Sequence, residues 1–281
     1  MKIIKFNSVS AFLLLIFLNK AFGQCPPSSC PPPSTTPIPS TLVMKYKGFY
    51  IGNFITGASP TNQKKHSKSV DFSREAIINL YSKVFITDVA KGYQGINIHF
   101  IAFGKRFLPR HSHNDQIGLM ITAADVNCKT DPDEFNISNN SFNQSSLQND
   151  HTPSTNYCSR DELDLFKGNY VRIYRNNTTR EKLYTKYVHH DKIIIEYFYR
   201  FLIAYPTFKG LRFDFACYNS RVGCGQVDDK QITLMISPVR SDGTADLTAF
   251  LNYLKEKVND NDKVKIYNTL NHGSLCPNYC E

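Results

Sequence analysis

One block of this chain, Gly95-Ile96-Asn97-Ile98-His99-Phe100, returns in altered form as Gly210-Leu211-Arg212-Phe213-Asp214-Phe215. A second, Gln116-Ile117-Gly118-Leu119-Met120-Ile121-Thr122, returns as Gln231-Ile232-Thr233-Leu234-Met235-Ile236-Ser237. Both are displaced by 115 residues, so the spacing between the blocks is kept along with the blocks themselves. Self-similarity at a fixed period marks a repeated structural unit, and it restricts the chain to folds built from two like parts.

The blocks read as strands. Ile96, Ile98, Phe100 and Ala102 alternate with Asn97, His99 and Ile101, and Leu211, Phe213, Phe215 and Cys217 alternate in the same phase. Ile117, Leu119 and Ile121, and then Ile232, Leu234 and Ile236, do likewise. Period two with one apolar face is the pattern of a half-buried strand, whose polar side (Asn97, His99, Arg212, Asp214) is expected to be wet. A helix precedes each pair. Ile77, Leu80, Tyr81, Val84 and Phe85 fall on one helical stripe, as do Ile194, Tyr197, Phe198, Phe201 and Leu202. Ser73 is a good N-cap for the first, His190 or Asp191 can cap the second, and Pro206 stops it. Further upstream, Tyr46-Lys47-Gly48-Phe49-Tyr50-Ile51 resembles Phe166-Lys167-Gly168-Asn169-Tyr170-Val171, and both read as the start of a strand. The expected fold is therefore α+β: two tandem copies of a strand–helix–strand–strand unit, an antiparallel sheet with helices on one face. A lone unit of that size is marginal, whereas two can share a core.

Residues 1–23 read as an export signal. Lys2 and Lys5 precede the apolar run Ala11 to Leu18, and Ala21 and Gly23 suit cleavage before Gln24. Cleavage lowers the net charge from +9 to +6, because three lysines leave with the signal. A mildly basic balance of this size is an ordinary solvated surface, and nucleic acid is not an expected partner. No later stretch reaches membrane-spanning length. Residues 24–41 are a Pro-rich stalk, 42–125 the first unit, 126–160 a polar insertion, 161–240 the second unit, and 241–281 a helix (Leu247, Phe250, Leu251, Leu254) and a tail. Within that tail, Val264 to Tyr267 can add a strand. The insertion, rich in Asn, Ser and Gln from Asn136 to Asn156, holds too few apolar residues to order itself.

Eight cysteines follow the signal: Cys25, Cys30, Cys128, Cys158, Cys217, Cys224, Cys276 and Cys280. An even count in an exported chain points to disulfides, and the sequence-close pairs Cys25–Cys30, Cys128–Cys158, Cys217–Cys224 and Cys276–Cys280 are the expected partners. A buried free thiol at Cys217 is the alternative, since the first unit has Ala102 there.

Three motifs carry a resemblance. Asp71-Phe72-Ser73-Arg74-Glu75-Ala76-Ile77 leads into a helix. The Gly95–Phe100 strand recurs as Gly210–Phe215. The chain closes on His272-Gly273-Ser274-Leu275-Cys276-Pro277-Asn278-Tyr279-Cys280. Together they resemble a group of uncharacterised exported Bacteroidetes proteins with a Leu-Cys-Pro-type C-terminus. Asn278 stands where that group has a second proline, and Asn97 where it has the arginine kept at Arg212. The resemblance implies compartment and fold but no activity.

Two loop constellations carry candidate chemistry. His111, His113 and Asp115, with His99 on the preceding strand, have the residue types of a metal site for a metal-dependent hydrolase. The matching stretch of the second unit, Gln226 to Lys230, has no histidine. Lys105, Arg106, Phe107 and Arg110 form a basic-aromatic stretch suited to a polyanion or acidic glycan. No Gly-x-Ser-x-Gly elbow, phosphate-binding loop or dinucleotide fingerprint occurs, and no cofactor is implied. The sequence leans away from catalysis, towards an exported binding or structural module. Its partner would be an extracellular or periplasmic protein or glycan, met through the long connections between strands.

Overall fold

A computed structural model describes residues 40–52, 68–102, 117–127, 130–131, 137–138, 156–157, 160–175, 185–217, 232–259, 262–263, 266 and 274–276. The expected signal, the stalk, and the loops 103–116 and 218–231 lie outside the described residues.

The chain is α+β. Helix α1 (Ser40–Tyr50) leads to strand β1 (Ser69–Ser73), helix α2 (Arg74–Tyr81) and strands β2 (Gly95–Ala102) and β3 (Ile117–Ala124). Short strands β4 (Thr130–Asp131), β5 (Ile137–Ser138) and β6 (Asn156–Tyr157) follow. Helix α3 (Arg160–Arg175), strand β7 (Tyr187–Asp191), helix α4 (Lys192–Ala204) and strands β8 (Phe208–Cys217) and β9 (Ile232–Arg240) come next, before helix α5 (Leu247–Lys257) and strand β10 (Ser274–Cys276). Two antiparallel sheets result, one ordered β1-β8-β9 and the other β10-β7-β2-β3-β5-β6, with β4 also on β3.

Helices form where the stripes predict. Ser73 is extended (φ −65°, ψ 159°), and its hydroxyl accepts from Ala76 N at 3.1 Å, capping α2. The helix continues through a wider i→i+5 turn over Ser82–Thr87, which keeps Val84 and Phe85 buried. Asp191 occupies the equivalent position ahead of α4, with no side-chain cap bond. Asp246 caps α5 by accepting from Ala249 N at 2.9 Å.

Four expectations are corrected. The segments around Tyr46–Ile51 and Phe166–Val171 are helical, not strands: Tyr46 and Tyr50 are buried, as are Phe166 and Tyr170. A buried pair four residues apart lies on one helical face, whereas alternation would bury every second residue. The mid-helix glycines Gly48 and Gly168 face open space, at a cost of about 1 kcal/mol each. Second, Asp71–Ser73 and His189–Asp191, read from sequence as helix entry, lie in strands β1 and β7, which run directly into α2 and α4. Third, part of the polar insertion is ordered: Ile137–Ser138 pairs with β3 and Asn156–Tyr157 with β5. Neighbouring strands satisfy a backbone that the insertion's own side chains could not bury. Fourth, of Val264–Tyr267 only Ile266 is described, and it is helical and buried.

The strand pairing crosses the chain. β1 is hydrogen-bonded to β8, with Asp71 opposite Arg212 and Ser73 opposite Gly210. β7 is hydrogen-bonded to β2, with His189 opposite Asn97 and Asp191 opposite Gly95. Beyond each ladder one more bond continues the pattern: Phe215 N to Lys68 O at 3.0 Å, and Phe100 N to Lys186 O at 3.1 Å. The preceding helices cross as well. Tyr50 of α1 stacks on Phe215 of β8 at 5.3 Å, and Tyr170 of α3 stacks on Phe100 of β2 at 5.7 Å. Fully burying such rings contributes about 1.5–3 kcal/mol each. The start of α2 meets the end of α4, where Arg74 Nε donates to Leu202 O at 3.0 Å, and Tyr81 stacks on Tyr199 at 4.4 Å. Phe198 and Phe201 of α4 carry the core on to Phe250 and Tyr253 of α5.

Candidate functional site

The polar residues that alternate with the core on β2 and β8 are not wet. Asn97 and His99 are 0% and 1% exposed, and Asp214 is 7% exposed. They form two joints, one where β1 meets β8 and one where β7 meets β2.

The first joint is charged. Arg212 donates twice to Asp71, Nε to Oδ1 at 2.8 Å and Nη2 to Oδ2 at 2.9 Å. Planar guanidinium and carboxylate match in this fork geometry, which raises the already high pKa of Arg212. Two residues on, Lys47 Nζ of α1 sits 3.0 Å from Asp214 Oδ2. Burial holds Asp214 above the usual carboxylate range, and the Lys47 ammonium pulls the other way.

The second joint is built of imidazoles, an amide and hydroxyls. His189 Nδ1 is 2.9 Å from Asn97 Oδ1, and Asn97 Nδ2 donates to Thr130 Oγ1 at 3.0 Å. His99 Nε2 shares a hydrogen bond with Thr122 Oγ1 at 2.9 Å and lies 3.3 Å from Thr130 Oγ1. His189 Nε2 is 3.4 Å from the exposed Asp191 carboxylate. On the opposite face of β7, His190 lies in the core, and neither of its ring nitrogens has a hydrogen-bond partner among the described residues; nor has His99 Nδ1. Burial, with the Lys167 ammonium of α3 nearby, pushes His99 down to about 3. Burial, with His189 beside it, pushes His190 down to about 3, against the pull of Asp191.

Both joints close on a glycine. A Cβ on Gly210 would lie 2.0 Å from Phe72 O, and one on Gly95 would lie 2.5 Å from His190 O. Side chains at these positions would collide with the backbone of the neighbouring strand. That explains why each repeated motif opens on glycine.

A hydroxyl beside an imidazole is the arrangement that activates a nucleophile, but an imidazole held near 3 is a feeble base at neutral pH. The Thr122–His99 pair therefore reads as buried hydrogen-bond satisfaction. Of the metal candidates, His99 lies inside this joint with Nε2 already engaged. His111, His113 and Asp115 lie outside the described residues, as do Lys105, Arg106, Phe107 and Arg110. Among the described residues no group of three His, Cys, Asp or Glu side chains is placed to hold a metal ion. Cys217 is buried at the end of β8, and Cys276 lies on β10. Cys25, Cys30, Cys128, Cys158, Cys224 and Cys280 lie outside the described residues. No helix among the described residues is long and apolar enough to cross a membrane.

Sequence reasoning passed over Lys47, Asp71, Thr122, Thr130 and His189 as joint members. The signal lay in the pairs Val70/Phe72 and Val188/His190, which alternate with Asp71 and His189 just ahead of each helix.

The strands also fix where the long connections begin. Phe100 and Phe215, two residues before β2 and β8 end, have ring centroids 6.0 Å apart. No protein-family model, curated protein or solved structure matches the chain.

Proposed function

We propose that the chain is an exported, non-catalytic binding module made by internal duplication, of the kind found among uncharacterised exported Bacteroidetes proteins. On this reading it presents the connections 103–116 and 218–231 to a glycan or protein outside the cytoplasm. Duplication is supported by the twice-used order helix–strand–helix–strand–strand and by the matching joints at Gly95 and Gly210. The contact of Phe100 with Phe215 carries the functional reading, because both long connections start three residues beyond it. Two long segments that leave rigid strands close to one another can address one ligand together. The first carries Lys105, Arg106, Phe107 and Arg110, so the ligand chemistry favoured is an acidic glycan: cations for sulfate or carboxylate, and an aromatic ring for a sugar face.

Immobilised heparin tests this. The mature chain is expected to be retained and to elute with salt. A Lys105→Ala/Arg106→Ala/Arg110→Ala variant should elute at clearly lower salt with an unchanged melting temperature. Retention equal in variant and parent, or none in the parent, overturns the glycan assignment. Stoichiometric zinc in the purified protein that disappears with His111→Ala and His113→Ala would move the loop to the metal-dependent hydrolase reading instead.

A further inference from the structure

We infer that residues 40–138 and 156–276 are two obligate partners tethered through the segment between β5 and β6, and that each presents a docking surface whose natural occupant is the arm of the other. The inference stands on strand pairing alone and holds whether or not the long connections bind anything. The first arm is α1 with β1, and the second is α3 with β7. The backbone hydrogen bonds of β1 go to β8, its carboxylate Asp71 to Arg212, the ammonium Lys47 to Asp214, and the ring of Tyr50 to Phe215. The second arm does the reciprocal: β7 pairs with β2, His189 bonds Asn97, and Tyr170 stacks on Phe100. Even the helix after the first arm is held across, through Arg74 to Leu202 O.

Withdrawing either half would strip β2 or β8 of a neighbouring strand, open the faces under Tyr50 and Tyr170, and take His189 from Asn97 or Lys47 from Asp214. Either half alone, with β2 or β8 missing a neighbour and an aromatic face uncovered, loses buried area that its remaining elements do not replace. The same reciprocity means that the docking surface of one chain fits the opposite half of a second copy. An exchanged dimer then re-forms every contact of the monomer, and the tether favours the monomer only by raising local concentration.

The test cuts the tether in the full chain. A specific protease site replaces residues 145–150, leaving β4, β5 and β6 in place, and reductant opens any bridge between Cys128 and Cys158. The cut protein should migrate as one particle of the uncut mass and unfold in a single transition. Its midpoint should fall on dilution, whereas that of the uncut chain does not move. Unfolding and refolding a mixture of tagged and untagged cut protein should yield hybrid particles in statistical proportion. Two separately eluting folded pieces, each with its own transition, would overturn the inference, and so would fragments that cannot be reassembled at any concentration. Heparin retention of the cut particle reports separately on the glycan assignment.

Discussion

The two joints occupy matching positions and use unlike chemistry. Where β1 meets β8, a forked Asp71–Arg212 pair and the Lys47–Asp214 pair do the holding. Where β7 meets β2, the same places are taken by His189–Asn97 and by His99, with Lys167 of α3 as its nearby cation. The backbone register is alike, down to a glycine that lets the neighbouring strand approach. The comparison teaches that close backbone approach and aromatic stacking define the joint, while the polar contacts that cross it are interchangeable. It also implies that the joints answer differently to acid.

That difference is the largest expected effect. His99 and His190 are held near 3, well below the unperturbed value of about 6.5. A lowered histidine gives its full contribution above the unfolded value and loses it as pH falls from there towards about 3, because the unfolded chain takes up protons that the folded one refuses. Between pH 7 and pH 4.5 the pair should remove roughly 5 kcal/mol of unfolding free energy, read by denaturant titration. Asp214, raised in the fold, shifts the balance the other way on acidification, so the charged joint does not share the loss. His190→Phe, which copies the Phe72 found at the matching place, should keep about half of the acid-sensitive loss. A variant as acid-labile as its parent would break the comparison.

Next come the glycines. Gly210→Ala and Gly95→Ala should each cost about 3 kcal/mol, since the added methyl meets backbone that cannot swing aside. Similar losses would sharpen the match between the joints, and a loss at one glycine alone would break it. The smallest expected effect is the gap between the polar partners. Arg212→Ala takes the forked guanidinium from a half-buried carboxylate at about 3 kcal/mol, whereas Asn97→Ala removes a neutral amide at about 1–2 kcal/mol. Equal losses in the same denaturation assay would show that charge adds nothing at this position.

Much of the fold was legible because it is local. Strands β2, β3, β8 and β9 showed their alternation, and α2, α4 and α5 their stripes, with Ser73 readable as a cap. The arms were not legible. α1 and α3 bury one aromatic pair each, with a glycine in mid-helix, so their helical period is faint. β1 and β7 are five residues long and run straight into helices, where Asp71 and His189 look like entry residues. The candidate site was half legible for a related reason. Asn97, His99, Arg212 and Asp214 stood out as polar, but what buries them comes from the far side of the chain, and no local pattern reports a partner that distant.

The crossed pairing sets an order of events during synthesis. Asp71 and Arg212 are separated by 141 positions, so β1 leaves the ribosome long before the strand it must join exists. Until β8 follows, β1 offers an unsatisfied edge and an apolar face to whatever is near, and a product truncated anywhere before β8 keeps it that way. Maturation of this protein is thus a waiting problem: β1 can be placed only after β8, well over a hundred positions further along the message, has been read.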